Sequence, residues 1–368
     1  MPAYKNEKRG TYYAKFRYID WQGNKKQKKK EGFKTKKEAL SFEREFLLKE
    51  TSNPDMIFGS LVELYMSDIK ARIRQTTYET KENIIYNRVL PFFKNKKINE
   101  ITAGDVRHWQ NELINSDYSK TYIKTINNQL SAIFNYAMRY HNLSKNPARE
   151  AGSVGKKNAG RVSFWEPDEF KQAIACLDKH DYITKISFEV LFWTGIREGE
   201  LLALTLEDID FKNRTIDINK TRAMLRDGTY VTNKPKTEHS ERKIEIPQFL
   251  CDEIKIFIER YTQPLKKTDR VFQTSKSNLN TKIKAIAKLS GLKRIRVHDL
   301  RHSHASMLID AGFSPLMVKE RLGHQNVQTT LETYSHLYDK KNKELMDKLN
   351  QINGIWKFWY AFGTLRQI

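Results

Sequence analysis

Cysteine is scarce in this sequence, and long apolar runs are missing. The 368 residues include only Cys176 and Cys251, which lie far apart and outside any CxxC pair. This excludes a disulfide framework and a cysteine-based zinc site, and it is typical of a protein of the reducing cytoplasm. No stretch approaches the roughly 18 apolar residues of a membrane span. The basic start, MPAYKNEKRG, has no apolar segment behind it and does not indicate a secretory signal.

Several catalytic motifs are also missing. His298, His302 and His304 cluster in VHDLRHSHAS, but without the HExxH spacing or a third carboxylate ligand, so no metal site is predicted. There is no GxxxxGK[ST] loop, which indicates that ATP is not the energy source, and no GxSxG elbow.

Positive charge is abundant. The formal net charge is +22, and such an excess opposes compactness through self-repulsion, so it usually serves a polyanionic partner. Solubility alone needs only a few charges. Nucleic acid is the leading predicted partner; a membrane surface is less favoured because no basic amphipathic helix is evident.

The basic charge is concentrated near the amino terminus, where residues 1–37 hold 13 Lys or Arg and three acids. Thr11–Tyr18 alternates and is rich in aromatics, Trp21–Asn24 is a turn, and Lys25–Phe33 returns as a second strand. Thr35–Glu38 resembles a capping box before a helix over Ala39–Leu48. We predict a small β-sheet followed by one helix; the aromatics disfavour the alternative of a disordered basic tail. The side chains predicted to contact DNA are Lys15, Arg17, Lys25, Lys26, Lys28, Lys29 and Lys30.

The middle region has a helical pattern. Phe58–Ile69, Thr76–Leu90, Val106–Ile114 and Ile123–Tyr140 carry apolar residues at helical spacing, and Pro147 marks the end of a small all-α domain. Residues 148–160 read as a linker. Beyond them a helix is predicted to start near Pro167, followed by mixed, mainly helical structure. That part contains a strand over Thr215–Lys220 and a hairpin across Arg226–Pro247.

Polar residues interrupt apolar helical sequence at three places in this last region. Arg197 and Glu200 lie in LFWTGIREGELLAL, and His298 and Arg301 lie at i and i+3 in VHDLRHSHASMLI. LGH places His324 ten residues before Tyr334. Taken singly, each has an ordinary explanation: an ion pair of Arg197 with Glu198 or Glu200, a solvated His–Arg pair, or a packed tyrosine.

Together these segments resemble the tyrosine recombinases, of the phage and conjugative-transposon integrase kind. The resemblance covers essentially the whole chain and rests on TGIREGEL, HDLRHSHAS, LGH and TTLETYSH in the family's order and spacing. The family's hairpin lysine falls within NKPKTEHSERKIEIP, where Lys236 matches best and Lys234 and Lys243 are alternatives.

The resemblance implies a mechanism. Tyr334 is the nucleophile, Arg197 and Arg301 stabilise the phosphate, and His298 and His324 donate hydrogen bonds to it. Arginine suits this task because its fork binds phosphate oxygens bidentately. His298 can also take the tyrosine proton, Lys236 serves as general acid, and Glu200 orients Arg197. The product is a 3′-phosphotyrosyl link that needs no cofactor for religation.

The resemblance also implies the domains and partners. Residues 1–50 are expected to bind arm sites, 57–147 core sites, and 161–345 to form the catalytic domain. Residues 346–368 form a tail that either packs on its own domain or docks on a neighbouring protomer. Partners are double-stranded DNA, three further protomers in a tetramer and, in some systems, an excision factor or DNA-bending protein in a bacterial cytoplasm. A type IB-like topoisomerase and a non-catalytic DNA-binding regulator are the alternatives.

Overall fold

The computed structural model describes residues 3–7, 9–19, 25–51, 56–157, 163–235, 240–328, 330, 331, 334, 349 and 350. The predicted turn Trp21–Asn24, Lys236 and the tail Asn353–Ile368 lie outside these residues. The chain divides into two compact units, one of Met1–Gly160 with Leu225–Asp227 and one of Arg161–Met224 with Gly228–Ile368.

The amino-terminal part of the first unit is a sheet covered by a helix. Strands β1 (Ala3–Asn6), β2 (Thr11–Ile19) and β3 (Lys25–Phe33) pair antiparallel in that order, and α1 (Lys36–Thr51) follows. The two longer strands and the helix confirm the prediction, whereas β1 was not foreseen. The Glu38 N–H donates to Thr35 Oγ1 (3.1 Å), and the Glu38 carboxylate accepts from the Lys34 N–H (2.9 Å), so the predicted capping box forms with a neighbouring backbone donor.

Alternation in β2 explains how this sheet is covered. Ala14 and Phe16 point toward α1 and pack with Ala39, because every second side chain of a strand lies on one face. Phe42 and Phe46 of the helix complete the small core. The aromatic residues that disfavoured a disordered tail in the sequence are the ones that fill this core.

The rest of the first unit is helical, as predicted. Phe58, Phe93, Trp109 and Phe134 meet in its core. Pro91 does not end a helix, because it sits in the first turn of a short helix that continues after a π-helical turn. The helices are α2 (Phe58–Lys70), α3 (Gln75–Ile84), α4 (Leu90–Phe93), α5 (Ala103–Ile114), α6 (Lys120–Tyr140) and α7 (Pro147–Glu150).

Packing in this unit continues past Pro147. Ala148 and Ala151 are buried in the same core, and the Arg107 guanidinium donates to the Ala151 carbonyl at 2.9 Å. The start of the segment predicted as a linker therefore belongs to the helical unit, because its small side chains fit between helices.

The second unit is mainly helical with two small sheets. Its helices are α8 (Pro167–Ala175), α9 (Tyr182–Thr194), α10 (Glu198–Leu201), α11 (Gln248–Tyr261), α12 (Lys276–Leu289), α13 (Asp299–Asp310) and α14 (Pro315–Leu322). Its strands are β4 (Ile209–Asp210), β5 (Thr215–Ile218), β6 (Thr221–Met224), β7 (Tyr230–Asn233) and β8 (Arg242–Glu245), in sheets of order β4-β5-β8 and β6-β7.

The predicted hairpin across Arg226–Pro247 was wrong in its pairing. β6 pairs with β7, and β8 returns to pair with β5 instead. Ile244 of β8 faces Ile216 of β5, and both are buried. The alternating apolar residues of β8 therefore pack into the main core, and β8 does not form a local hairpin with β7.

The site depends on α9, which is buried along nearly its whole length against α11 and α13. The helix ends at Gly195 in a left-handed conformation (φ 67°), which reverses the chain and delivers Arg197 at the start of α10. Among the helices that the structure describes, none has both the length and the apolar character to cross a bilayer.

Candidate active site

Tyr334 is packed inside the second unit. Its ring is 2% exposed and lies among Ala305 and Ile309 of α13 and Val318 and Leu322 of α14. Burial, opposed by the nearby Arg301 charge, raises the pKa of the phenol above its ordinary value. In this state the hydroxyl is protonated and shielded from water.

The hydroxyl has one specific partner. Tyr334 Oη lies 2.6 Å from Nδ1 of His302, one helical turn after His298. Burial and the neighbouring His298 lower the pKa of His302 to about 4, so its ring is neutral near pH 7. In the tautomer that carries its proton on Nε2, Nδ1 accepts a hydrogen bond and the phenol donates it.

Arg301 lies at the bottom of the site and is 4% exposed. Its guanidinium donates to the carbonyls of Gly195 (2.7 Å) and Leu322 (2.6 Å). Burial and repulsion from Arg197 lower its pKa to about 9, which leaves it charged at neutral pH. Two backbone carbonyls fix the plane of the fork.

Gly195 makes this arrangement possible. A Cβ there would lie 2.6 Å from the His304 ring and 2.8 Å from Leu322, in a backbone conformation that L residues rarely adopt. Its carbonyl can therefore reach Arg301 only because it has no side chain.

Glu200 links two arginines. Its carboxylate accepts from Arg197 Nη1 at 2.7 Å and from Arg242 Nη2 at 3.0 Å. It also accepts from the Arg197 backbone N–H at 2.9 Å. Burial alone would raise the pKa of Glu200, but Arg242 and then Arg197 hold it below the ordinary value. Arg197 keeps 38% of its side chain exposed, so its fork is fixed by Glu200 and still open to a ligand.

Arg242 was missed from the sequence. Besides Glu200, it donates to the Arg321 carbonyl (3.0 Å), and a Cβ at Gly323 would lie 3.0 Å from its side chain. It therefore joins β8 to the end of α14, beside His324. The only sequence signal was its position in SERKIEIP, between the candidate lysine Lys236 and the buried strand residues.

His298 and His324 both lie near the Arg301 guanidinium. Desolvation and the Arg301 charge lower the pKa of both rings, that of His324 to about 3. His324 Nδ1 lies 2.9 Å from Thr330 Oγ1, which fixes its ring. His298 precedes the first residue of α13 and contacts the His302 ring edge-on at 5.4 Å.

One expectation about proton transfer is that His298 can take the tyrosine proton, and this stays a prediction. Among the described residues it is His302 that makes the hydrogen bond to the Tyr334 hydroxyl. His298 precedes the first residue of α13, whereas His302 lies within that helix. The sequence signal was present, since His302 directly follows Arg301 in HDLRHSH.

The other histidine of that cluster has a structural task. His304 is 1% exposed, and its Nε2 accepts from Arg321 Nε at 2.9 Å. Burial and Arg321 lower its pKa to about 3. Within the described parts of the chain, no group of His, Cys, Asp or Glu side chains is arranged to hold a metal ion.

The lysine assignment is not tested by the described residues, because Lys236 lies outside them. Of the alternatives, Lys243 is exposed on β8 and Lys234 follows β7. Lys220, which precedes β6, is bound by Asp208 (2.8 Å) and Thr205 (2.9 Å). That lysine therefore stabilises the turn before β4.

The basic residues predicted to bind DNA in the amino-terminal sheet divide between two faces. Lys15 and Arg17 point away from α1, with Lys29 directly across from Lys15. Lys28 and Lys30 lie on the helix side, where their ammonium groups sit 4.9 Å from the Phe46 ring and 4.3 Å from the Phe42 ring. By strand alternation Lys25 belongs to the outer face and Lys26 to the helix side.

Three family models match consecutive parts of the chain. An arm DNA-binding domain matches residues 2–49, the SAM-like N-terminal domain of phage integrases matches 57–114, and the phage integrase family matches 163–341. The chain is 31% identical over 339 residues to the ICEBs1 integrase of Bacillus subtilis, covering 86% of this chain and 90% of the relative. It is 27% identical to a XerC-like tyrosine recombinase of Caldanaerobacter subterraneus, covering 87% and 90%.

Solved structures give the same fold. The Tn1549 transposon integrase in complex with a circular intermediate DNA aligns with a TM-score of 0.68 at 20% identity, over 78% of this chain and 99% of that one. A lambda integrase dimer bound to a COC′ core site aligns with a TM-score of 0.59 at 16% identity, over 90% and 94%. The chain therefore belongs to the phage integrase family of tyrosine recombinases, and it is a site-specific DNA recombinase of mobile elements.

Proposed function

We propose that Tyr334 attacks a backbone phosphate of DNA and forms a 3′-phosphotyrosyl link. The observation that carries this proposal is the 2.6 Å contact between the Tyr334 hydroxyl and His302, beside the buried Arg301. A tyrosine with a neutral acceptor at its hydroxyl and a fixed guanidinium nearby has what a nucleophile needs.

Charge on the phosphate is balanced by two arginines held in different ways. Arg301 is fixed by carbonyls and Arg197 by Glu200, so neither must reorganise when charge develops on the non-bridging oxygens. His298 and His324 donate hydrogen bonds to the same oxygens. Glu200 and Arg242 act as positioning residues behind Arg197.

Protons and bonds balance across the step. The Tyr334 oxygen forms a bond to phosphorus, and its proton passes to Nδ1 of His302. The bond from phosphorus to the 5′-oxygen breaks, and Lys236 gives that oxygen a proton. Religation runs in reverse with another 5′-hydroxyl, and the phosphotyrosyl link keeps the bond energy for it.

The remaining regions follow the same proposal. Residues 1–50 bind arm sites, 57–147 bind the core site and 161–345 carry catalysis, while the tail 346–368 either packs on its own domain or docks on a neighbouring protomer. Support for the first three regions comes from the matched family models, which cover residues 2–49, 57–114 and 163–341. Solved relatives include a lambda integrase tetramer bound to a Holliday junction, and we propose four protomers on two duplexes here.

The test is covalent trapping on nicked DNA that carries a candidate element end. Wild-type protein is expected to form a DNA-linked species, and Tyr334→Phe is expected to form none while still binding DNA. Tyr182→Phe, a tyrosine stacked on Tyr261 in the same unit, is the matched control. Covalent complex from Tyr334→Phe, or a linked peptide that maps elsewhere, would overturn the assignment.

A further inference from the structure

A second basic site lies in the catalytic unit, apart from the residues around Tyr334. It is a cavity of about 410 Å³ between the β6–β7 hairpin and the start of α12. The residues that matter here are Arg222, Tyr230, Arg270, Thr274, Ser275 and Asn278. We call it the hairpin cavity.

Two guanidinium groups converge in the hairpin cavity, and neither has an acidic partner among the residues that the structure describes. Arg222 stacks on Tyr230, with 4.1 Å from its guanidinium carbon to the ring centroid. Its Nε is buried and has no hydrogen-bond partner among the described residues. Within the described part of the chain, the Arg270 guanidinium donates long hydrogen bonds, of 3.3 and 3.5 Å, to the carbonyls of Phe272 and Leu202. Burial and then repulsion from Arg222 lower the pKa of Arg270.

Like charges placed together in a partly desolvated cavity cost free energy unless an anion offsets them. The neutral residues of the cavity suit the same kind of ligand. Ser275 caps α12, and its hydroxyl accepts from the Asn278 N–H at 3.1 Å, whereas the N–H groups of Lys276 and Ser277 in the first turn of this 14-residue helix have no partner within the helix. These N–H groups form the positive end of the helix dipole, which adds to the positive charge of the two arginines.

Nearby acid does not neutralise the pair. The adjoining helix α10 holds Glu200, which is bound by Arg197 and Arg242, and Glu198, which is 7% exposed. Glu198 accepts from Asn280 at 3.0 Å and pairs with Lys276 at 3.4 Å, both on α12. The two arginines therefore keep their charge for a ligand.

The cavity is fixed to the helix that follows Arg197. A Cβ at Gly199 would lie 2.7 Å from Thr221 Oγ1 and 2.9 Å from the Arg222 carbonyl. The missing side chain lets β6 pack directly on α10, and Glu198 ties α10 to α12. The position of Arg222 is thereby coupled to the position of the catalytic arginine.

We infer that the hairpin cavity binds a backbone phosphate of the DNA other than the one that Tyr334 attacks. Arg222 and Arg270 grip its non-bridging oxygens, and the start of α12 supplies backbone donors. The inference rests on the proposed function only in taking DNA as the substrate. The task of this phosphate contact is to set the register of the duplex relative to Arg197.

The experiment replaces one phosphate at a time with a neutral methylphosphonate along a duplex carrying an element end. Affinity is measured for wild-type protein, Arg222→Gln and Arg260→Gln, the last being an exposed arginine outside the cavity. Wild type and Arg260→Gln are expected to lose roughly tenfold at one position away from the cleaved bond, as for a charged hydrogen-bonded contact. Arg222→Gln is expected to bind more weakly at every position and to lose nothing further there.

Salt dependence on unrelated duplex DNA gives a second measurement that needs no known site. Arg222→Gln should lower the slope of log affinity against log salt by about one unit, and Arg260→Gln should not. Arg270→Gln is measured alongside, and thermal melting confirms that each variant is folded.

Three results would overturn the inference. Arg222→Gln and Arg270→Gln could keep every methylphosphonate effect of wild type, or could leave the salt slope unchanged. Alternatively, inorganic phosphate at constant ionic strength could stabilise wild type but not Arg222→Gln while the scan is unaltered, which would make the cavity a small-anion site. Failure of covalent trapping is a separate outcome, because both measurements here follow binding alone.

Discussion

The hydroxyl of Tyr334 is protected in the DNA-free protein. It is buried, its pKa is raised by that burial, and its hydrogen bond ends on a neutral imidazole. In the proposed reaction the phenol must therefore lose its proton as its bond to phosphorus forms, and the proposed acceptor of that proton is His302.

Replacing His302 separates proton transfer from packing. His302→Ala and His302→Gln are both expected to slow cleavage by roughly 10²–10⁴-fold, the usual contribution of general acid–base catalysis, with DNA affinity unchanged. Single-turnover cleavage of the nicked substrate is the measurement. The exposed His180→Gln serves as control.

Glutamine makes this comparison sharp, because its side-chain oxygen can accept the phenol hydrogen bond but not a proton at neutral pH. Wild-type cleavage rates in His302→Gln would mean that His302 only holds the ring in place. Loss of rate in His298→Gln alone would return the proton acceptor to His298.

Glu200 predicts a pH dependence of stability. Its pKa in the folded protein lies below the ordinary 4.5, so its ion pairs stabilise fully above that pH and are lost as pH falls below it. Urea unfolding should show wild type losing more stability than Glu200→Gln between about pH 5 and pH 3. At neutral pH Glu200→Gln should itself be less stable by about 3 kcal/mol, as for a broken buried pair.

Exposed Glu241→Gln is the control for this titration, and it should follow the wild-type profile. Parallel curves for wild type and Glu200→Gln would show that the ion pairs with Arg197 and Arg242 are not linked to folding.

At the scale of the elements, the amino-terminal sheet shows that the number of basic residues does not by itself identify the face that binds DNA. Lys15 and Lys29 face each other across β2 and β3, and like charges directly opposite are unfavourable. Lys28 and Lys30 cover the Phe46 and Phe42 rings on the helix side. On the outer face Lys29 lies 5.2 Å from the Tyr13 ring and pairs with Glu31, but that pair is exposed and contributes little, so a phosphate can displace it. The outer face is therefore the one expected to meet a polyanion.

Two double variants that remove equal charge test this division. Lys15→Gln with Lys29→Gln should lower the salt slope of arm-site binding by about two units, one for each phosphate contact. Lys28→Gln with Lys30→Gln should lower the thermal stability of the amino-terminal unit and change the slope less. Equal slopes for the two pairs would contradict a one-sided interface.

At the scale of the whole molecule, the proposed reaction uses permanently charged arginines, and the phosphotyrosyl link retains the energy of the cleaved phosphodiester bond. Recombination of two element ends on one plasmid is therefore expected without nucleotide and in excess EDTA, because Arg197 and Arg301 supply the charge stabilisation. Gel analysis should show the recombinant circle. Relaxed plasmid with no recombinant would instead indicate topoisomerase-like religation to the original strand.

The sequence by itself determined much of the fold. Helices α2 and α6 and strand β2 followed from apolar periodicity, β3 followed from the turn predicted before it, and the capping residue Thr35 marked the start of α1. Arg197, Arg301, His298, His324 and Tyr334 were named because four segments resemble the tyrosine recombinases in order and spacing, whereas each residue taken singly had an ordinary explanation. All five are brought into the second unit.

Only the tertiary structure decided which of these groups touch. The hydrogen bond of Tyr334 with His302, the bridge from Arg242 through Glu200 to Arg197, and the pairing of β8 with β5 join residues 32, 42 and about 27 positions apart. The hairpin cavity likewise depends on a missing side chain at Gly199. Local periodicity cannot report such contacts, because side-chain direction and close packing are fixed only when the elements assemble.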